Sequence, residues 1–359
     1  MSVKIKTFGS LLVEVVRTKL CVYCGACIAT CPVGIILPEE EEPKLIPGCI
    51  ACQLCYYQCP RTPGLVPFPT MEFEETVFGR LRDQTGYEGL IGVHKAIYAA
   101  RTLNEELKAR CQDGGATTAL AMEALLSGKA DCVVATGTEP SHPWKPLPRV
   151  LKDTKEVEEV AGTKYTLGPI VTGLNSAFQD YVSHNVGVVG VPCEVQALRR
   201  MQRNPFARHK ITETLGVVIG LFCMKSYWYS ELFEHLKEKN VTPSRITRMA
   251  IKRGRFRVYE GDREALAAPL RDIEPYTRDC CKVCEDFTAE LADVSVGGVG
   301  VPDGWNLVIA RTKLGEELVQ EAVKAGLLEV EALPEDSEGL QTVFKLAEQK
   351  RRRPEARPE

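Results

Sequence analysis

The cysteine run C-x-x-C-x-x-C-x-x-x-C-P occurs twice in the first sixty residues, as CVYCGACIATCP at 21–32 and as CIACQLCYYQCP at 49–60. Eight thiols in that register leave a short stretch few ways to fold. Three closely spaced cysteines and a fourth followed by proline form the spacing that wraps [4Fe–4S] clusters in bacterial ferredoxins. In such a module the fourth cysteine of each run ligates the other cluster. That rule groups Cys21, Cys24, Cys27 and Cys59 on one cluster, and Cys49, Cys52, Cys55 and Cys31 on the other. The runs open 28 residues apart, which suits a small pseudo-symmetric α+β ferredoxin-like module. The competing reading is two zinc sites, but those pair C-x-x-C units across wider gaps. Clusters of this kind pass single electrons and transform no substrate by themselves.

The rest of the chain has to supply the chemistry. Fifteen cysteines in 359 residues are not a disulfide framework, since such frameworks belong to short secreted chains without a large core. A net charge of -3 gives no reason to expect nucleic acid as a partner. No stretch reaches the uninterrupted apolar length of a membrane span. The opening MSVKIKTFGSLLVEVVRTKL lacks the long apolar region and cleavage site of a secretory signal. These features predict a cytoplasmic protein that meets a membrane only peripherally, on its inner face, through a partner.

Residues 1–20 read as a lead-in strand region. After Cys59 the run CPRTPGLVPFPT carries four prolines, the signature of a linker, and places a domain boundary near residue 66. Beyond it, β-rich runs (DCVVATG, VGVVGV, GVVIGLFC, ADVSVGGVG, NLVIARTK) alternate with helical patterns (ATTALAMEALLSG, EVQALRRMQR, SYWYSELFEHLKEK, GEELVQEAVKAG). That alternation predicts an α/β domain with a mostly parallel sheet over 67–335. Residues 336–359 read as a C-terminal basic extension, with LAEQKRRRPEARPE a frayed, solvated end.

Two further features carry chemistry. Cys193 and Cys223 each end a predicted strand, and RDCCKVCEDF supplies Cys280, Cys281 and Cys284. The carboxyl ends of parallel strands converge on one crevice, so Cys193, Cys223, Cys281 and Cys284 are predicted to hold a third [4Fe–4S] cluster. A structural zinc on the same thiolates, or buried unliganded thiols, remain open, and Cys280 competes with Cys281. In CQDGGATTAL, Gly114 and Gly115 precede a helix whose first turn includes Thr117 and Thr118. Such a helix start attracts anions, although Gly-Gly before a helix is also a plain turn. It is not G-x-G-x-x-G, so no nicotinamide cofactor is indicated. Lys225, Lys252 and Arg253 are candidates for binding phosphates or carboxylates, with a solvated basic face as the alternative. The five histidines show no metal-ligand spacing.

From IGVHKAIYAARTLNEELKARCQDGGATTAL through WKPLP, AGTKYT, GVPCEVQAL, GLFC and CCKVCEDFTAELADVSVGG, the chain resembles the family of coenzyme F420 hydrogenase/dehydrogenase beta subunits. The motifs run in order from about Tyr87 to about Thr312. With a fused two-cluster module, the arrangement resembles archaeal dehydrogenases of reduced coenzyme F420. The resemblance implies an α/β FrhB-type flavin-binding domain with FAD and one [4Fe–4S] cluster on Cys193, Cys223, Cys281 and Cys284. With the ferredoxin module that makes three [4Fe–4S] clusters, and coenzyme F420 would be the substrate. It further implies that Gly114, Gly115, Thr117 and Thr118 contact FAD, with Lys164 and Tyr165 of AGTKYT lining the same pocket. Lys225, Lys252 and Arg253 would meet the acidic tail of the deazaflavin.

What the resemblance implies as function is oxidation of reduced coenzyme F420, with electrons passed singly to an electron-accepting protein complex. That complex would be a membrane dehydrogenase or a soluble reductase. Two other classes stay open: a flavin and iron–sulfur reductase of another organic substrate, and a non-catalytic electron-transfer adaptor.

Overall fold

A computed structural model describes residues 5–204 and 209–352. The cysteine module contributes a hairpin of β1 (Ile36–Glu39) and β2 (Glu42–Leu45). The large domain contributes β3 (Ala96–Thr102), β4 (Cys132–Glu139), β5 (His142–Leu151), β6 (Val186–Gly190) and β7 (Leu215–Leu221). A small antiparallel sheet follows, of β8 (Arg248–Lys252), β9 (Arg255–Glu260) and β10 (Arg263–Pro269). The chain then returns to the large sheet as β11 (Val294–Gly297), β12 (Asn306–Ala310) and β13 (Leu328–Ala332).

The eight strands of the large sheet lie in the order β13-β3-β12-β11-β7-β6-β4-β5. Only the centre, β11, β7, β6 and β4, is parallel; the flanking pairs are antiparallel. The expectation of a mostly parallel sheet is corrected to a parallel centre with antiparallel wings. The reason is local. VGVVG of β6 is buried throughout, as strands covered on both faces are, whereas β4 turns straight back into β5 at Glu139–His142, and so short a connection enforces antiparallel pairing. Helices Ala116–Leu126 and Pro192–Arg203 cover the sheet, and their buried side chains belong to separate apolar clusters.

Residues 8–16 are helical, not a lead-in strand. Phe8, Leu11 and Val15 recur at helical spacing and are buried against Ile36, Cys55 and Tyr56. The module is docked on the large domain. Gly25, between two cysteines of the first run, has φ +85°. A Cβ there would lie 2.8 Å from the carbonyl oxygen of Pro169, so only glycine lets the module approach helix Ile170–Gln179. Val171 N–H donates to the Cys24 carbonyl at 2.9 Å, and Val22, Cys24, Ala26 and Ala29 share a core with Leu167, Ile170 and Leu174. On the hairpin, buried Glu41 accepts from Tyr229 N at 2.9 Å and from Arg278 Nη1 at 3.2 Å, placing a carboxylate at the start of helix Tyr229–Glu238.

The proline-rich stretch after Cys59 is no free linker. Cys59, Arg61 and Thr62 are buried because they face the interior between the module and the large domain. The C-terminal segment differs from expectation for the same kind of reason. Glu338–Arg351 is a helix whose Leu340, Val343, Phe344 and Ala347 are buried. Phe344 stacks on Tyr87, ring centroids 4.5 Å apart, and Arg351 pairs with Glu290 at 2.6 Å. The remainder of the basic tail, 353–359, lies outside the described residues.

Candidate metal and cofactor site

The module's eight cysteines sort into two groups around two apolar cavities. One cavity is lined by Cys21, Cys24, Cys27 and Cys59 with Leu11, Val15, Val22 and Ile28. The other is lined by Cys31, Cys49, Cys52 and Cys55 with Phe8, Ile36 and Ile50. Burial first, and the neighbouring thiols second, push Cys27 well above the ordinary thiol value. Desolvation also raises Cys24 and Cys55, each to about 12. Four thiols gathered in an apolar setting are costly to ionise unless a cation offsets their charge, and iron is such a cation. Cys49 and Cys52 are exposed, whereas Cys24 and Cys59 are buried.

A third group lies at the carboxyl ends of β6 and β7. Cys193 sits in the first turn of the helix after β6, and Cys223 follows β7 by two residues. Cys281 and Cys284 come up on the loop before β11, and the electrostatic neighbours of Cys223 include both. Burial, then Glu194 and Cys284, push Cys193 well above the ordinary thiol value. Cys281 goes the other way, down to about 6, because Cys280 donates to it, with help from Ser226 N–H at 3.3 Å and from Lys350 and Arg278. Cys280 and Cys281 are thus coupled neighbours, and it is Cys281 that stands in C-x-x-C spacing with Cys284.

Two buried cations flank this group, and sequence reasoning missed both. Lys350 of the C-terminal helix is 2% exposed. Its Nζ donates to the carbonyls of Cys223 and, at 2.7 Å, Asp286, and Cys284, Cys223 and Cys281 are the main groups favouring its charge. Arg61, 1% exposed, neighbours Cys284, Cys193 and Cys280; among the described residues its Nε and both Nη atoms have no hydrogen-bond partner. Orphaned guanidinium nitrogens beside buried thiols fit an anionic thiolate cluster better than a set of neutral cysteines.

The predicted cofactor residues are partly gathered. Gly115 starts helix Ala116–Leu126 at φ +73°. Gly114 is held by packing: a Cβ would lie 2.7 Å from Ala100 O and 2.8 Å from Asn306 N. Ala116 N–H donates to Asn306 Oδ1 at 3.0 Å. Thr118 is buried against Cys111, and Lys164 is another neighbour of that thiol. Tyr165 Oη donates to Gln112 Oε1 at 2.8 Å and accepts from Ile251 N–H at 2.9 Å. Lys252, in β8, pairs with Asp113 at 3.0 Å and Asp303 at 3.1 Å. The Asp113 carboxylate rests against Gly298, just beyond β11. Gly114, Gly115, Thr118, Lys164, Tyr165 and Lys252 therefore converge near the carboxyl end of the central sheet, with Thr117 half-buried in the same first helical turn. Lys225 stands apart in an ion pair with Glu274, and Arg253 extends into solvent from the turn after β8.

Lys164 tests whether this crevice suits an anionic cofactor such as FAD. Its amine donates to the Val160 carbonyl at 2.5 Å, and desolvation lowers its pKa from 10.5 to about 8. A desolvated amine near a helix start fits a bound pyrophosphate. Folding depresses this pKa, so between about pH 8 and 10.5 the folded protein binds fewer protons than the unfolded chain, and stability rises with pH there. Relative to Lys164→Met, wild type is expected to gain thermal stability as pH is raised from 8 to 10, and bound anion should flatten that gain. An equal response of the two proteins would contradict a desolvated amine.

Comparison with known proteins places these features in one group. Family models for the coenzyme F420 hydrogenase/dehydrogenase beta subunit match residues 97–175 (N-term) and 183–336 (C terminus), and a 4Fe-4S binding domain matches 14–37. The beta subunit of the coenzyme F420 hydrogenase of Methanothermobacter thermautotrophicus is 36% identical over 267 residues, covering 74% of this chain and 94% of the relative. The chain belongs to the family of coenzyme F420 hydrogenase/dehydrogenase beta subunits. A subunit of the F(420)H(2) dehydrogenase of Methanosarcina mazei is 30% identical over 359 residues, with 95% of this chain and 92% of the relative covered. A chain of the F420-reducing [NiFe] hydrogenase complex from Methanosarcina barkeri superimposes with a TM-score of 0.70 at 33% identity, covering 74% of this chain and 91% of that one.

Proposed function

We propose that this protein oxidises reduced coenzyme F420 and passes the electrons singly, through three [4Fe–4S] clusters, to a partner complex. The observation that carries the reading is the group of three buried thiols, Cys193, Cys281 and Cys284, and the half-buried Cys223 at the carboxyl end of the parallel strands, with the buried cations Lys350 and Arg61 beside them. FAD, when bound, accepts a hydride and releases electrons one at a time, the conversion that a deazaflavin donor and iron–sulfur acceptors require.

The chain's residues supply placement and charge. Lys164, Thr118 and the helix start at Ala116 offer an anion site for the flavin's phosphates. Lys252, anchored by Asp113 and Asp303, offers a cation to the acidic tail of coenzyme F420. Cys281, in C-x-x-C spacing with Cys284, is the fourth ligand rather than Cys280. In the module, Cys21, Cys24, Cys27 and Cys59 hold the inner cluster. Cys31, Cys49, Cys52 and Cys55 hold the outer one, where the exposed Cys49 and Cys52 bring it within reach of an acceptor.

Relatives named as hydrogenase and dehydrogenase subunits support a partner complex. Among the described residues no helix is long and apolar enough to cross a membrane, so the partner supplies any membrane contact. Anaerobic turnover tests the reading: reduced coenzyme F420 should drive viologen reduction by the reconstituted protein alone. A flavin-loaded protein that leaves reduced F420 untouched would point instead to an organic substrate.

A further inference from the structure

Arg61 belongs to neither half of the protein by its contacts. It follows Cys59 and Pro60 of the second cysteine run, its backbone N–H donates to Cys59 Sγ at 3.4 Å, and its side chain is 1% exposed. Burial works against its charge; Cys284, Cys193, Cys280 and Cys59 work for it. Three of those thiols belong to the large domain and the fourth to the module. Among the described residues Nε, Nη1 and Nη2 all lack a hydrogen-bond partner, and so do both amide atoms of Gln58, which is fully buried one residue before Cys59. A buried guanidinium with no bonded partner is strongly unfavourable, so a purely structural arginine at this place has no compensation.

We propose that Arg61 is a positioning residue that bridges the large-domain cluster and the inner module cluster electrostatically, making that pair the electron crossing between the two halves. The proposal rests on the three-cluster reading above. Its chemistry is one electron leaving one cluster and arriving on the other, with no bond made or broken and no proton moved. A cation favours the reduced, more negative form of any cluster it faces. Facing both, Arg61 raises both affinities for the electron together and keeps either cluster from becoming a trap. The main thiols favouring the charge of Arg61 include none of the outer group of Cys31, Cys49, Cys52 and Cys55, so the outer cluster is expected to respond least to Arg61.

The test is an anaerobic redox titration followed by EPR on the reconstituted full chain, comparing wild type, Arg61→Gln and Arg61→Lys. In Arg61→Gln the two flanking clusters should each become about tenfold harder to reduce, a shift of about 59 mV for a one-electron couple. The outer cluster should stay in place, and Arg61→Lys should restore most of the shift. A shift of one cluster alone, of all three equally, or of none overturns the bridge. Should Arg61→Gln not fold, wild type itself decides. On full reduction the large-domain signal should be split by its neighbour, and Cys52→Ser, which removes an outer ligand, should leave that splitting intact. No splitting in wild type, or splitting lost in Cys52→Ser, overturns the proposal. Wild type lacking three clusters by iron content would sink the function reading and this inference together, whereas three clusters with unmoved potentials sink the inference alone.

Discussion

Cys284→Ser and Cys281→Ser are each expected to lose the four irons of one [4Fe–4S] unit and to slow viologen reduction by reduced coenzyme F420 on the order of 100-fold or more. Both thiols are buried beside Cys193 and Cys223, and a serine hydroxyl does not ionise to replace a thiolate. Cys280→Ser should be much milder, because Cys280 lies outside the C-x-x-C spacing that pairs Cys281 with Cys284. The comparison reads iron per chain and turnover side by side. If Cys280→Ser instead lost iron as heavily as Cys281→Ser, the assignment of Cys281 would fall.

The second large effect is expected at Lys350. Replacing it with Met leaves the carbonyls of Cys223 and Asp286 without their buried donor and removes a cation from three thiols. Stability should fall by about 3 kcal/mol, measured by denaturant unfolding of the cluster-free protein, and the loaded protein should release iron faster. A Lys350→Met variant as stable and as iron-retentive as wild type would mean that the C-terminal helix plays no part in the site.

Lys350 is hidden in the sequence by its neighbours. LAEQKRRR looks like a solvated basic end, yet Leu340, Val343, Phe344 and Ala347 stand at i, i+3, i+4 and i+7, the stripe of a buried helix face. That signal is present and is outweighed by the charges after it. Arg61 leaves no comparable trace, because an arginine among prolines reads as linker and its large-domain partners lie more than a hundred residues away in sequence. The valine-rich β6 and β7 are legible because parallel strands buried on both faces need such runs. In the small sheet β8–β10 the alternation of β9, with buried Phe256 and Val258 alternating with Arg255 and Arg257, is short and its arginines read as a basic surface. The cysteine grouping can be written down from spacing alone, since a cluster dictates the separation of its ligands more tightly than any apolar core dictates its residues.

The cofactor crevice is legible only in part. Gly114 and Gly115 read as an anion loop, yet each has a packing reason within the chain: Gly114 against Ala100 and Asn306, Gly115 through its left-handed φ and its contact with Thr102. Lys164 and Tyr165 came from the resemblance, and the structure sets them beside Cys111 and Gln112. Lys225 and Arg253 were chosen for charge alone. Their side chains face Glu274 and Asp303 at the surface, which is where most basic side chains settle.

One chain, on this account, takes electrons from reduced coenzyme F420 and stores them on its own clusters. Anaerobic single-turnover mixing of the fully loaded protein with reduced coenzyme F420, with no other protein present, tests that claim most directly. Oxidised F420 should appear while the cluster absorbance bleaches, and Cys284→Ser should retain only the flavin phase. Reduced F420 that stays reduced beside flavin and clusters that stay oxidised would contradict the account.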